Sequence, residues 1–167
     1  MDIQKELIAE FDRETAKTRT ILAAIPADAD FKYKPHPKSM SLGRLAGHVS
    51  ETAGEWAVST LSTDKLEFPP EHKFEGYIPA STIALLEHFD QQVALAKAAL
   101  ASFSLADWDS HWKFVAGGKT WIDEPKYLVW RTWVLNHLIH HRAQLGVYLR
   151  MLDKALPGTY GPSADGM

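Results

Sequence analysis

The 167-residue chain contains no cysteine. That absence excludes a disulfide framework, a thiolate metal site and a cysteine nucleophile, so any metal must be held by histidine, carboxylate, backbone or water. A dominant charge is also lacking. Lys and Arg number 18 against 21 Asp and Glu, for a formal charge of -3, and the basic residues Lys32, Lys34, Lys38 and Arg44 are scattered rather than joined in a run. This distribution excludes the electrostatic footprint of a nucleic-acid surface. No window approaches the roughly 18 apolar residues of a membrane span. The opening MDIQKELIAEFDRETAK mixes charged and apolar residues without the apolar centre of a signal peptide. The expectation is a cytoplasmic protein with neither membrane nor nucleic-acid partner. Repeats and low-complexity stretches are absent too.

What is present is 46% hydrophobic residues, 11% of the chain being aromatic. That is enough for one sizeable core and too little chain for two, so a single domain over residues 1–167 is expected. Ile3, Leu7, Phe11, Leu22 and Ile25 recur at helical spacing up to Pro26, with Asp2 near the cap. Ser41 caps a second helix running to about Leu61, with a stripe of Leu42, Leu45, Val49 and Trp56. Pro69, Pro70, Gly76 and Pro79 make the next segment a long connection. A third helix follows from about Thr82 to Phe103, its expected stripe Ile83, Leu86, Phe89, Val93, Leu100 and Phe103. The aromatic stretch around Gly117 and Gly118 fits a small hairpin or a packed loop. From Pro125 to about Asp153 the pattern is helical again. Four long helices without a convincing sheet give an all-α fold class, an up-down four-helix bundle with long loops.

The last helix carries NHLIHHRAQLGVYLR, with three histidines in five positions. Its stripe is Trp130, Val134, Leu138, Leu145, Tyr148 and Leu152, and His137 and His141 fall within it. His140 lies about 60° away from His137. Residues i and i+4 stand one above the other with β-carbons roughly 6 Å apart, so both imidazoles can reach one ion at about 2.1 Å. A pair by itself proves little, since helical histidine pairs also occur as satisfied core or surface residues. A third ligand has to come from elsewhere. His36 and His72 sit by prolines in loops, His88 in the third helix and His111 in the aromatic loop. His48 lies at the edge of the second helix's stripe and can point into a bundle interior.

Familiar alternatives fail on the letters. The H-E-x-x-H pattern needs Glu where Leu138 stands, and no Glu has His three residues later, as carboxylate-bridged di-iron bundles require. AGGKT at 116–120 ends like a phosphate loop, yet Lys113 occupies the position of its first glycine.

The stretches KSMSLGRLAGHVSE, NHLIHHRAQLGVYLR and PGTYGPSAD together resemble the DinB family of DinB/YfiT-like metalloenzymes over nearly the whole chain. HHRAQ departs from the usual HHRGQ only at Ala143. The resemblance implies a four-helix bundle, commonly a homodimer, in which His48, His137 and His141 bind a divalent metal ion, Zn or Ni foremost. Three imidazoles do not by themselves choose among neighbouring metals. It further implies chemistry like that of relatives that transfer low-molecular-weight thiols, or of a mycothiol-dependent isomerase. Three protein nitrogens leave positions open, as in catalytic rather than closed structural sites. A bound ion lowers the pKa of water or an incoming thiol. Without cysteine in the chain, the thiol must be a cosubstrate. The preferred reading is a metal-dependent transferase joining such a thiol to an electrophilic small molecule, with a hydrolase or a non-catalytic, stress-associated metal-binding protein as alternatives.

Residues supporting the ligands are less legible. Each ligand histidine needs an acceptor for its other ring nitrogen. Glu51, Glu55 and Asp165 are candidates, although a solvated surface is the ordinary place for a carboxylate. Arg142 and Gln144 orient the last helix or meet an anionic ligand. Trp56, Trp108, Trp112, Trp121, Trp130 and Trp133 line a pocket or fill the core, and Tyr160 anchors the tail turn made by Gly161 and Pro162.

Overall fold

The computed structural model describes residues 2–166. The Asp2 carboxylate accepts the Lys5 N–H and opens α1, Ile3–Ala23. Ser41 does the same for Arg44 at the start of α2, Leu42–Ala53. The expected single helix to Leu61 breaks at Gly54, where φ is -114° and ψ -82°, and resumes as α3, Glu55–Ser62. The break has a packing cause. A Cβ at Gly54 would fall 2.2 Å from Gln92 Oε1, so only glycine lets α4 press into the chain there.

Helix α4, Thr82–Ser102, is capped by Ser81. Its buried residues are Thr82, Leu85, Phe89, Ala96 and Leu100, while Leu86, Val93 and Phe103 are half-buried. Ile83, expected inside, is 69% exposed. The Thr82 hydroxyl donates to the Ile25 and Pro26 carbonyls, which fixes the rotation of the first turn and swings the next residue outward.

The fold is mostly helical, but not all-α. Lys65–Phe68 (β1), His111–Ala116 (β2) and Lys119–Pro125 (β3) form a three-stranded sheet in the order β1-β2-β3. β1 runs parallel to β2, with Leu66 opposite Phe114, and β3 is antiparallel to β2. Gly117 (φ 61°) and Gly118 (φ 73°) make the two-residue turn, since both central residues of this hairpin type need positive φ. That settles the role of AGGKT as a turn. Trp112 and Ile122 are buried on the inner face and pack with Leu66 and Phe114 against Val129, Trp56 and Trp133. Of the two readings for this stretch the hairpin is the one found, while the expectation of a long connection missed β1, a short strand beside a proline pair.

After the sheet the chain is helical from Lys126 to Met151. It comprises α5, Lys126–Val129, a π-helical stretch, Trp130–Asn136, and α6, His137–Met151. The junction residues keep right-handed helical angles, so the rod is continuous, as expected from Pro125 onward. α1 packs on α4 and α6, and α2 packs on the same two helices. Two buried clusters fill the interior, one around Leu45, Phe89, Leu138 and Leu145 and one around Phe11, Leu100, Trp130 and Leu135. Among the described residues, no helix is long and apolar enough to cross a membrane.

Candidate metal centre

Local forces place each histidine before any ligand is considered. On α2, Leu45 and Val49 are fully buried, which directs the flank carrying His48 toward α6. On α6, Leu138 and Leu145 are fully buried and hold His137 and His141 at i and i+4 facing α2. The π-helical stretch ends immediately before His137, a type of irregularity frequent at functional sites.

The three imidazoles converge. His48 Nε2 and His137 Nε2 are 3.3 Å apart, and one nitrogen from each of the three rings lies within 4.8 Å of the others. Two nitrogens bound to a tetrahedral ion at about 2.1 Å stand roughly 3.4 Å apart, so the observed spacing fits a shared ion. Among the described residues this is the one group of three His, Asp or Glu residues so arranged. His140 is exposed and its ring is adjacent only to His141.

The outer nitrogens are all engaged by acceptors. His48 Nδ1 lies 3.2 Å from Glu51 Oε2, His137 Nδ1 3.3 Å from the Trp133 carbonyl, and His141 Nδ1 2.8 Å from Gln144 Oε1. A carboxylate or carbonyl oxygen can only accept, so each Nδ1 carries the hydrogen and each Nε2 keeps its lone pair. Three lone pairs then face one another with no donor between them. That is an arrangement a divalent cation could complete.

Burial favours the neutral, ligand-competent form of the two α6 rings. It pushes His137 down to about 4, with nearby His48 and His140 adding to the effect against the Trp133 carbonyl. His141 is likewise lowered to about 4, chiefly by burial, despite the support of Gln144.

Glu51 is the residue for which the surface prior misled. It is 7% exposed. Burial alone would raise its pKa, but bonds from His48, the Tyr77 N–H and Arg44 hold it below the usual carboxylate range. Arg44 Nη2 reaches Glu51 Oε2 at 2.9 Å. The Tyr77 N–H donates to the other oxygen, Oε1. Two glycines permit this: a Cβ at Gly47 would fall 1.9 Å from the Tyr77 carbonyl oxygen, and one at Gly76 would fall 2.0 Å from Arg44 Cζ. A signal was available in the i+3 spacing from His48.

The other candidates separate cleanly. Glu55 is exposed and bonds to no ligand histidine, although it lines the adjoining cavity. Asp165 pairs with Arg150 and accepts from the Leu156 N–H, tying down the tail. Gln144 supports His141. Arg142 is 3% exposed and structural: it contacts Glu14 Oε2 at 2.8 Å, the Glu14 carbonyl at 3.1 Å, Thr18 Oγ1 at 3.3 Å and the Tyr160 hydroxyl at 2.8 Å. Tyr160 anchors the tail through its bond to Glu14 Oε2 at 2.6 Å. Trp108, Trp112 and Trp130 are core, and Trp121 is 58% exposed. Trp56 and Trp133 stack on each other and present edges to His137, so these two alone of the six wall the centre. A cavity of 340 Å³ opens beside His48, lined also by Glu51, Glu55, Trp56, Phe68 and Phe74.

Known proteins resemble the chain in family and in fold. The model of the DinB family matches residues 1–167. The crystal structure of a DinB-like protein from Bacillus cereus is similar, with a TM-score of 0.70 at 23% sequence identity, covering 93% of this chain and 97% of that one. At that identity the likeness speaks for the fold. No curated protein matches the chain.

Proposed function

The chain belongs to the DinB family, and from that premise we propose that it is a metal-dependent transferase acting on a low-molecular-weight thiol and an electrophilic small molecule. His48, His137 and His141 hold a divalent ion, Zn or Ni. The observation that carries this reading is the convergence of the three imidazoles, His48 Nε2 and His137 Nε2 lying 3.3 Å apart, with the Nδ1 of each ring held by an acceptor. Supporting it is the cavity of 340 Å³ that reaches His48 and gives a small molecule access.

When bound, a divalent ion supplies Lewis acidity that brings a thiol's pKa toward neutrality. The protein's own residues do the rest. Glu51, Gln144 and the Trp133 carbonyl hold the ring tautomers, and Trp56 and Trp133 keep one side of the centre apolar. With no cysteine in the chain, sulfur comes from the cosubstrate. The reaction forms a bond from that sulfur to an electrophilic carbon, the carbon's leaving group departs with the bonding pair, and the thiol proton passes to water. A homodimer belongs to the same reading.

The test starts with protein purified without a tag or chelator and measured for metal by mass spectrometry. About one divalent ion per chain is expected, absent from His48→Ala and His137→Ala. The loaded protein then consumes an activated electrophile only when a thiol is added. Consumption without thiol makes it a hydrolase, bound metal with no turnover makes it a non-catalytic metal-binding protein, and no metal after reconstitution overturns the reading.

A further inference from the structure

Residues 69–79, between β1 and α4, run as a strap along α2, and His72, Phe74, Glu75 and Gly76 of this segment make one wall of the cavity that reaches His48. The wall is lightly held. Residues 71–75 are exposed, and the aromatic partners of His72 and Phe74 are Phe68 and each other. Two main-chain hydrogen bonds are internal to the strap, His72 N–H to the Pro69 carbonyl and Glu75 N–H to the Lys73 carbonyl. Among the described residues, its main chain makes one hydrogen bond to the rest of the protein, from the Tyr77 N–H to Glu51 Oε1. The other oxygen of that carboxylate lies 3.2 Å from His48 Nδ1 and accepts from Arg44 Nη2 at 2.9 Å. One side chain therefore fastens the strap and orients a ligand histidine. The Tyr77 ring is tied to α4, stacked at 4.0 Å on His88 with its hydroxyl donating to the Ala84 carbonyl at 3.3 Å. The peptide joining Gly76 to Tyr77, which carries the N–H, is then the hinge about which residues 70–76 can swing.

We propose that the strap and the metal centre are coupled through Glu51, with Glu51 and the Tyr77 N–H as positioning groups for His48. The closed strap fixes the carboxylate, and the fixed carboxylate holds His48 with Nε2 free to ligate. An ion on Nε2 draws charge from the ring and strengthens the Nδ1–H bond to Glu51, which keeps the strap closed over the cavity. This rests on the three-histidine reading of the centre and adds a moving wall to it. Coupling of this kind is reciprocal, so strap opening and metal affinity must respond by the same factor. The fit between strap and helix makes the link testable. A Cβ at Gly47 would fall 1.9 Å from the Tyr77 carbonyl oxygen, so alanine there displaces the strap while it favours α2 as a helix.

The test follows hydrogen exchange at the Tyr77 amide in zinc-free and zinc-loaded wild type, and zinc affinity by competitive chelator titration in wild type, Gly47→Ala, Glu51→Ala and the double variant. All four keep the three histidines. Zinc loading is expected to slow Tyr77 exchange, and Gly47→Ala to weaken zinc binding, each by roughly tenfold and by matching factors. With Glu51 removed the link is gone, so Gly47→Ala should have no further effect on affinity in the Glu51→Ala background. Tyr77 exchange that ignores zinc, wild-type affinity in Gly47→Ala, or a Gly47→Ala effect that survives without Glu51 each overturns the coupling and leaves the metal site standing. Wild-type protein that binds no zinc overturns both.

Discussion

Two polar clusters sit on opposite sides of α6, one residue apart in sequence, and they are built to opposite rules. On one side Arg142 is buried and fully used: its guanidinium meets the Glu14 carboxylate and carbonyl, Thr18 and Tyr160. On the other, His137 and His141 have their outer nitrogens satisfied and their inner nitrogens aimed at His48 and one another. The first cluster is complete as protein. The second could be completed by a cation. A buried polar group that has found its partners holds the fold together, while converging acceptors without a donor mark a place where something else belongs.

Replacing one residue on each side should give opposite outcomes. His137→Ala removes a ligand, so bound metal should fall from about one ion per chain to near zero, a loss beyond the roughly 10- to 100-fold that an outer partner accounts for. Its metal-free unfolding midpoint should change little by comparison. Arg142→Ala leaves the Glu14 carboxylate, 7% exposed, with only the Tyr160 hydroxyl and Lys17, and should cost about 1.5–3 kcal/mol in denaturant unfolding. Metal stoichiometry measured on the remaining folded protein should stay near one. If both variants lose metal and stability together, the two clusters are one unit and the contrast fails.

A smaller effect tests the outer shell. Gln144→Ala leaves all three ligands and frees the His141 Nδ1 hydrogen, so competitive chelator titration should show metal affinity reduced by about 10- to 100-fold. An unchanged affinity would make Gln144 a bystander.

Acid should sharpen the comparison from the structural side. Burial would raise the Glu14 pKa, but bonds from Tyr160 and Arg142 outweigh it and hold it below its ordinary 4.5. The unfolded chain therefore takes up a proton first as pH falls, and stability is present above about 4.5 and lost as pH drops toward the folded value. Glu14→Gln should flatten that part of the stability curve; a wild-type slope that survives the substitution assigns the acid loss to other groups.

Much of this was legible in the chain. The caps at Asp2, Ser41 and Ser81 work as their side chains imply, because capping needs only the next three residues. The pairing of His137 with His141 follows from helical periodicity alone. Long-range packing explains what was misread. Gly54 ends α2 because Gln92 of another helix occupies its missing Cβ, and Ile83 faces water because Thr82 bonds to carbonyls 57 and 56 residues away. The parallel pairing of β1 with β2 joins residues 48 apart, Lys65 with Lys113. Nothing local in KLEF announces its partner.

By itself the sequence determined that any metal would be held without thiolate, that two histidines would share one helical face, and which side chains would cap the helices. These follow from composition and from a 3.6-residue period. The tertiary structure decided that His48 would meet His137 across 89 residues, that Glu51 would be buried behind it, and that Trp56 and Trp133 alone among the tryptophans would wall the centre. The reason is physical: a helix specifies the angles among its own residues, but a coordination site needs nitrogens from two helices, and only the packing of α2 against α6 sets the distance between them.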